Sequence, residues 1–178
     1  MMAHPGKKLL FMGSEFAQFA EWDYKKSIEW FMLDYPAHRD FCEYVKSLNE
    51  FYLSHSQLWE IDFDKEGFKW LVSDDTSHNT IVFKRRNKKG KELICICCFS
   101  NESIESYRFG IDAEGEYTCV FSSVYGQNGT YKTENIPSHG RESSLCVPLN
   151  GMSVSFYELT KKKQTKKTVN TKRERKVK

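Results

Sequence analysis

The spacing of apolar residues changes near residues 54–57, and this change limits the folds that the chain can adopt. Before this point apolar residues recur at helical spacing, and after it they alternate as in half-buried strands. The breaks between the alternating runs are short and contain glycine, asparagine and charged residues, which are typical of turns. The sequence therefore predicts a short N-terminal piece followed by an all-β module.

A helix is predicted over residues 37–53, directly after Pro36. Proline is tolerated in the first turn because its missing N–H would have no partner there. The predicted buried stripe comprises Phe41, Val45, Leu48 and Tyr52, widened by Cys42 and Phe51. Charged residues take the opposite face, so the helix is expected to be amphipathic.

Seven or eight short strands are predicted in the all-β module. They cover residues 58–63, 68–72, 80–84, 92–99, 106–109, 115–122, 144–147 and 152–159. The sequences Asp64–Gly67 and Asn87–Gly90 resemble hairpin turns. This spacing predicts a mainly β fold, built as an antiparallel β-sandwich or barrel.

One further strand is predicted before the helix. Residues 9–12 form a continuous apolar run, Leu-Leu-Phe-Met, which suits a strand covered on both faces in a parallel sheet. A buried helical turn would fit nearly as well. One strand and one helix cannot close a layer alone, so they either pack on the β module or belong to a larger domain.

An acidic, aromatic-rich loop follows this run. Its carboxylates are Glu15, Glu21, Asp23 and Glu29, and between them lie Phe16, Phe19 and Trp22. Carboxylates accept hydroxyl hydrogen bonds and flat rings cover the apolar face of a sugar, so the composition suits sugar binding. A retaining glycosidase pair would need carboxyl groups about 5–5.5 Å apart, which sequence spacing in a loop does not establish. A solvated loop anchored by its aromatic rings is favoured over a catalytic pair.

The charge is unevenly distributed along the chain. The net charge is +3, but residues 161–178 carry +9 and residues 1–160 carry −6. Because this tail has almost no apolar residues, we expect it to be disordered. It has no aromatic residue for base stacking, so its composition does not favour nucleic-acid binding. No apolar run approaches the roughly 18 residues of a membrane span, and the expected location is cytoplasmic.

The cysteines and histidines form no recognisable metal signature, and no cofactor is expected. Cys95 and Cys97 are predicted to share one strand face and Cys98 to take the other. Their spacing is not that of a zinc site, so free thiols that act as small core residues are favoured.

Several segments resemble bacterial 1,4-alpha-glucan (glycogen) branching enzymes of the alpha-amylase clan. The most specific is HPGKKLLFMGSEFAQFAEW at His4–Trp22, and the resemblance extends over residues 1–159, including Ser27–Trp30, Leu58–Glu60, Gly67–Trp70, Phe83–Arg86 and Tyr107–Gly110. It implies that Lys8–Met12 is the last strand and Ala37–Leu53 the last helix of a (β/α)8 barrel. The β-sandwich would then follow the barrel.

The resemblance also implies a division of the chain and a function. Residues 1–55 would be the end of the catalytic barrel, 56–160 the C-terminal all-β domain and 161–178 a basic tail. Family enzymes move α-1,4-glucan segments to 6-hydroxyls with an Asp nucleophile, a Glu acid/base and a second Asp. None of these three matches a position here, so the isolated chain is expected to be inactive. The implied partners are an α-glucan and the missing barrel.

The resemblance also implies that four residues of the loop shape the glucan groove. These candidates are Glu15, Phe16, Glu21 and Trp22. Two other hypotheses stay open: a non-catalytic carbohydrate-binding or structural module, and an adaptor that binds an anionic partner through the tail. Without barrel neighbours, the run at residues 9–12 and the helix stripe are expected to expose apolar surface.

Overall fold

The computed structural model describes residues 1–163, so the predicted disorder of residues 164–178 lies outside the described residues. One α-helix and eight strands follow one another along the chain. They are α1 (Pro36–Ser54), β1 (Phe68–Asp75), β2 (Thr80–Arg86), β3 (Glu92–Cys98), β4 (Ile104–Ile111), β5 (Gly115–Ser122), β6 (Thr130–Lys132), β7 (Ser143–Leu149) and β8 (Ser153–Lys162). Strand β8 extends through Lys161 and Lys162, which the sequence assigned to the disordered tail.

The strands form two sheets. The larger has the order β1-β2-β3-β8-β5-β6 and the smaller pairs β4 with β7. Every neighbouring pair is antiparallel, which confirms the predicted antiparallel sandwich. The predicted hairpin at Asn87–Gly90 is also confirmed, because the Asn87 N–H donates to the Lys91 carbonyl at 3.1 Å.

The main core lies between the two sheets. Alternate residues of facing strands point inward, and they include Val82, Ile94, Ile96, Phe109, Leu145 and Tyr157. Burial of these side chains follows from the alternating pattern, since one face of each strand meets the opposite sheet. Cys98 lies in this core, as its predicted strand face requires.

A second cluster covers the outer face of the larger sheet. It contains Ala3, Phe51, Leu58, Phe83, Leu93, Cys95, Cys97 and Phe156. The ring of Phe51 on α1 stacks on Phe121 at 4.7 Å and lies 4.9 Å from Phe156. Helix α1 and the N-terminal segment therefore form a third layer on the sandwich. The predicted helix is confirmed to within one residue at each end.

Two predicted strands do not form among residues 1–163. Residues 9–12 pair with no described strand, and the side chains of Leu9 and Phe11 are 76% and 57% exposed. A strand of a parallel sheet needs hydrogen-bonded neighbours, and no parallel strand is present among residues 1–163. Residues 58–63 also form no strand: a 3-10 helix at Ser56–Leu58 leads into turns. The predicted turn at Asp64–Gly67 contains another 3-10 helix, and the three-residue β6 was not predicted.

A buried ion pair fixes the third layer to the sheet. Arg85 on β2 has no exposed surface, and its guanidinium donates to the carboxylate of Asp62. The same guanidinium donates to three backbone carbonyls, those of Ala3 (2.8 Å), Leu58 (3.1 Å) and Gly67 (3.2 Å). The second carboxylate oxygen of Asp62 accepts from the backbone N–H of Gly6 at 2.8 Å. One arginine thus connects β2 to the N-terminal segment and to the connection between α1 and β1.

Replacement of Arg85 by methionine is expected to destabilise the fold strongly, because Asp62 would stay buried without its partner. Loss of one member of a buried pair typically costs about 3–5 kcal/mol of unfolding free energy. Urea unfolding followed by circular dichroism would measure this loss. Its neighbour Arg86 is exposed, so Arg86→Met serves as the control and should change stability by less than about 0.5 kcal/mol. Equal effects of the two substitutions would contradict the role given to Arg85.

Candidate functional site

The acidic loop at residues 13–30, here called the rim loop, begins at a glycine that no other residue could replace easily. Gly13 has a φ of 87°, a left-handed conformation that favours glycine. A Cβ built on Gly13 would lie only 2.9 Å from the Cβ of Gln18. The chain then makes a 3-10 turn at Ser14–Phe16 and reverses again at Ala17, whose φ is 57°.

The side chain of Gln18 closes the rim loop. Its backbone N–H donates to the Gly13 carbonyl at 2.9 Å, and its side-chain amide donates to the Ala20 carbonyl at 2.8 Å. Its amide oxygen accepts from the backbone N–H of Glu29, also at 2.9 Å. These three bonds join the two ends of the rim loop, so the carboxylates and rings between them have a defined position.

Phe16 anchors the rim loop from below. Its side chain has no exposed surface, and its ring centroid lies 5.5 Å from that of Trp30. The Phe16 carbonyl accepts from the Nδ1–H of His38 on α1 at 2.8 Å, which fixes the tautomer of that imidazole. Phe16 therefore holds the loop against α1, and its ring is inaccessible to a ligand from solvent.

The remaining sequence candidates lie at the surface. Glu21 and Trp22 line an open depression of about 400 Å³ together with Phe11, Met12, Gln18 and Phe19. Trp22 is 39% exposed and meets the ring of Phe11 edge to face at 5.6 Å. Glu15 is half-buried and does not line this depression. Within residues 1–163, neither the Glu15 nor the Glu21 carboxylate accepts a hydrogen bond. The arrangement offers one free carboxylate beside an exposed ring.

A second depression, of about 630 Å³, adjoins the first and was not predicted from the sequence. It is lined by Phe19, Glu29, Phe31, Met32, Tyr35 and His38. The 3-10 helix Trp30–Asp34 brings these side chains together. The sequence feature that could have indicated this depression is the dense run of aromatic residues at 30–35.

One cluster resembles a catalytic triad but stabilises a turn. At the β1–β2 hairpin, Asp75 accepts hydrogen bonds from the Ser77 hydroxyl (2.7 Å), the His78 ring (2.8 Å) and the Tyr107 hydroxyl (2.9 Å). All three groups act on the carboxylate, so Ser77 is not poised as a nucleophile activated by the histidine. Burial opposes ionisation of Asp75, but these hydrogen bonds outweigh it and lower its pKa to about 2.

A charged network near the other end of the β1–β2 pair is structural as well. The carboxylate of Asp112 bonds to Lys69 (3.0 Å), Lys84 (2.8 Å) and Arg141 (2.8 Å). Burial works against the charge of Asp112, but these cations hold its pKa far below the ordinary value. Arg141 also donates to the carbonyl of Leu71 at 3.1 Å, so the network fastens β1 and β2 to the loops at the end of the smaller sheet.

Among residues 1–163, no group of three or more histidine, cysteine, aspartate or glutamate side chains is arranged to hold a metal ion. In the same part of the chain, no helix is long and apolar enough to cross a membrane.

The family of the chain follows from comparison with known proteins. The model of the family "Alpha amylase, C-terminal all-beta domain" matches residues 70–160, which correspond to the sandwich from β1 to β8. The chain belongs to this family.

Several known proteins that are similar over most of the chain are branching enzymes. The 1,4-alpha-glucan branching enzyme GlgB of Aquifex aeolicus is 41% identical over 165 residues, which make up 88% of this chain and 26% of that enzyme. The corresponding enzyme of Oceanobacillus iheyensis is 42% identical, over 89% of this chain and 26% of its own length. That of Halothermothrix orenii is 39% identical with the same two coverages. The chain is homologous to the C-terminal region of these enzymes and spans about a quarter of their length.

The hydrogen bonds to Asp75 predict a stability contribution that depends on pH. Because its pKa is lower in the folded chain than the ordinary 3.8, this contribution is complete above about pH 4 and disappears as the pH falls through about 2. Tyr107→Phe removes one donor and should lower the unfolding free energy near neutral pH by about 1–2 kcal/mol.

Urea unfolding of both proteins at several pH values tests this expectation. The difference between wild type and Tyr107→Phe should shrink as the pH approaches 2. Tyr125 is fully exposed, so Tyr125→Phe provides the control and should show no such difference. A Tyr107→Phe effect of the same size at every pH would contradict the assigned pKa.

Proposed function

We propose that this chain is the C-terminal part of a 1,4-alpha-glucan branching enzyme and that its substrate is an α-glucan such as glycogen or amylose. The observation that carries the proposal is the extent of the similarity. The match to the Aquifex aeolicus enzyme spans 165 residues, far more than the all-β stretch at 70–160. The similarity thus includes much of the N-terminal piece as well as a sandwich domain of the alpha-amylase type.

We further propose that the chain is inactive by itself. Retaining glucan transfer needs a nucleophile and an acid/base held on both sides of the scissile bond. The Asp, Glu and Asp that the family resemblance implies match no position in this sequence. Glu21 is an exposed carboxylate beside Trp22, without the paired arrangement that glycoside chemistry needs.

The candidate residues of the rim loop receive different roles in this proposal. Glu21 accepts hydrogen bonds from glucan hydroxyl groups, and the exposed ring of Trp22 covers the apolar face of a glucose unit. Glu15 lies on the 3-10 turn Ser14–Phe16 outside the depression, and it shapes the groove indirectly, through this turn. Phe16 acts from beneath by holding the loop against α1. No cofactor takes part, and the proposed location is the cytoplasm.

The apolar run at residues 9–12 supports the proposed division of the chain. Leu9, Leu10, Phe11 and Met12 are all more than 40% exposed, although their sequence is that of a buried strand. We assign residues 1–55 to the end of a catalytic barrel and 56–160 to the all-β domain. In this proposal the run pairs with the preceding barrel strand of the longer enzyme, which removes its apolar surface from water.

A non-catalytic carbohydrate-binding or structural module is the second candidate. It is favoured by the way the N-terminal piece packs: Arg85 and Asp62 fasten that piece to the sandwich, and α1 covers the outer face of the larger sheet. A chain that forms its own third layer has the packing of an independent module. The two candidates differ in whether the rim loop serves an active site.

A branching assay of the isolated chain tests the proposed inactivity. Incubation with amylose should give no increase in α-1,6 linkages above buffer, because the reacting carboxylates are missing. The complete enzyme of Aquifex aeolicus, assayed alongside, shows that the conditions permit branching. Turnover by the isolated chain would overturn the proposed inactivity.

Glycogen affinity electrophoresis tests the proposed glucan contact. The wild-type chain should be retarded by glycogen in the gel, and Trp22→Ala should weaken the affinity for glycogen about two- to tenfold, since one aromatic contact contributes about 0.5–1.5 kcal/mol. Tyr125→Ala removes an exposed ring elsewhere and should behave as wild type. Retardation that Trp22→Ala leaves unchanged would place the sugar contact outside the rim loop.

A further inference from the structure

The chain contains two Asn-Gly sequences, and the fold holds them in different ways. Asn128–Gly129 lies between β5 and β6, and Asn150–Gly151 lies between β7 and β8. In such a sequence the backbone nitrogen of the glycine can attack the asparagine side chain, because no Cβ on the glycine hinders the approach. The reaction is a ring closure within one chain, so its rate depends on how freely the two groups can meet.

Asn128 lies in an open turn. Its side chain is exposed, as are the preceding Tyr125 and Gly126. Among residues 1–163, neither the side chain of Asn128 nor the backbone N–H of Gly129 has a hydrogen-bond partner. Both reacting groups are therefore free to move while the rest of the chain stays folded.

The fold requires glycine at position 129. A Cβ there would lie only 2.7 Å from the hydroxyl oxygen of Tyr131, whose ring packs against the main core. The Gly129 carbonyl accepts from the backbone N–H of Cys119 at 2.9 Å, next to the pairing of β5 with β6. The contacts of β6 thus retain the residue that makes Asn128 reactive.

The second sequence is held by its neighbours. The side-chain amide of Asn150 donates to the side-chain oxygen of Gln127 at 3.1 Å, and the backbone N–H of Gly151 donates to the Ser103 hydroxyl at 3.2 Å. A Cβ on Gly151 would clash with the carbonyl oxygen of Asn101, so this turn is also closely packed. Both reacting groups are engaged, and the turn has to open before they can meet.

We propose that Asn128 is a site of spontaneous deamidation in the folded chain and that Asn150 is protected. The Gly129 nitrogen loses its proton to hydroxide and forms a bond to Cγ of Asn128. The bond from Cγ to the side-chain nitrogen breaks, ammonia leaves, and a succinimide ring remains. Water then opens the ring to aspartate or isoaspartate, so no oxidant, reductant or cofactor takes part.

The product differs from asparagine in charge and, for isoaspartate, in backbone length. A carboxylate replaces the neutral amide in the turn that leads into β6. In the isoaspartyl form the main chain passes through the former side chain, which adds a methylene group just before Gly129. The modification is independent of the proposed glucan chemistry, since it uses only residues of the sandwich and water.

Ageing of the full chain in mildly alkaline buffer, followed by trypsin digestion and mass spectrometry, tests the proposal. Lys132 and Arg141 lie between the two sites, so each site falls on its own tryptic peptide. We expect Asn128 to convert at least about tenfold faster than Asn150, because the turn at Asn150 must open first. Aged chain should also accept methyl groups from S-adenosylmethionine when treated with an isoaspartyl methyltransferase.

Two controls separate the effect of the fold from that of the sequence. In the chain unfolded by guanidinium chloride, both Asn-Gly sites should convert at rates within about threefold, since the native contacts are absent. Ser103→Ala removes the acceptor of the Gly151 N–H and should accelerate conversion of Asn150 but not of Asn128.

Three results would overturn the proposal. They are equal rates at the two sites in the folded chain, the same ratio of rates in the unfolded chain, and a Ser103→Ala variant in which Asn150 reacts as slowly as in wild type.

Discussion

The buried pair of Arg85 and Asp62 determines how the N-terminal piece lies on the sandwich. A guanidinium without exposed surface is tolerated only when its donors are satisfied, and here they reach one carboxylate and three backbone carbonyls. Those carbonyls belong to the N-terminal segment and to the connection between α1 and β1. The sandwich thus specifies the path of residues that lie far from it in sequence.

The same pair influences the position of the rim loop. Asp62 holds the backbone of Gly6, and two residues later the ammonium group of Lys8 donates to the His4 and Gly6 carbonyls and lies 5.4 Å from the centre of the Tyr52 ring. Burial lowers the pKa of Lys8, and the charge of Asp62 opposes this effect. The chain therefore enters the rim loop from a fixed position on the larger sheet. The hydrogen bonds of Gln18 and Phe16 then fix the conformation of the rim loop itself.

Local patterns predicted much of the fold and little of the site. Helix α1 and seven of the eight strands follow from helical spacing and alternation. Strand geometry also explains why Cys97 and Cys98 are buried on opposite faces of β3. Residues 58–63 alternate like a strand, but Leu58 and Asp62 accept hydrogen bonds from Arg85 and the segment forms turns. Arg85 is more than 20 residues away, so no local sequence pattern could indicate this contact. The run at residues 9–12 has a strand sequence without a neighbouring strand. The burial of Phe16 and the depression beside Tyr35 depend on how the loop folds against α1, so sequence spacing could not reveal them.

The central proposal is that the N-terminal piece and the sandwich form one unit, that this unit would complete a branching enzyme, and that Arg85 holds the unit together. The most direct measurement replaces the C-terminal quarter of the Aquifex aeolicus enzyme with this chain and assays the formation of α-1,6 branches. The account predicts a folded chimera that forms branches, loses this activity with Arg85→Met and keeps it with Arg86→Met. A folded chimera that forms no branches, or one that Arg85→Met leaves fully active, would contradict the account.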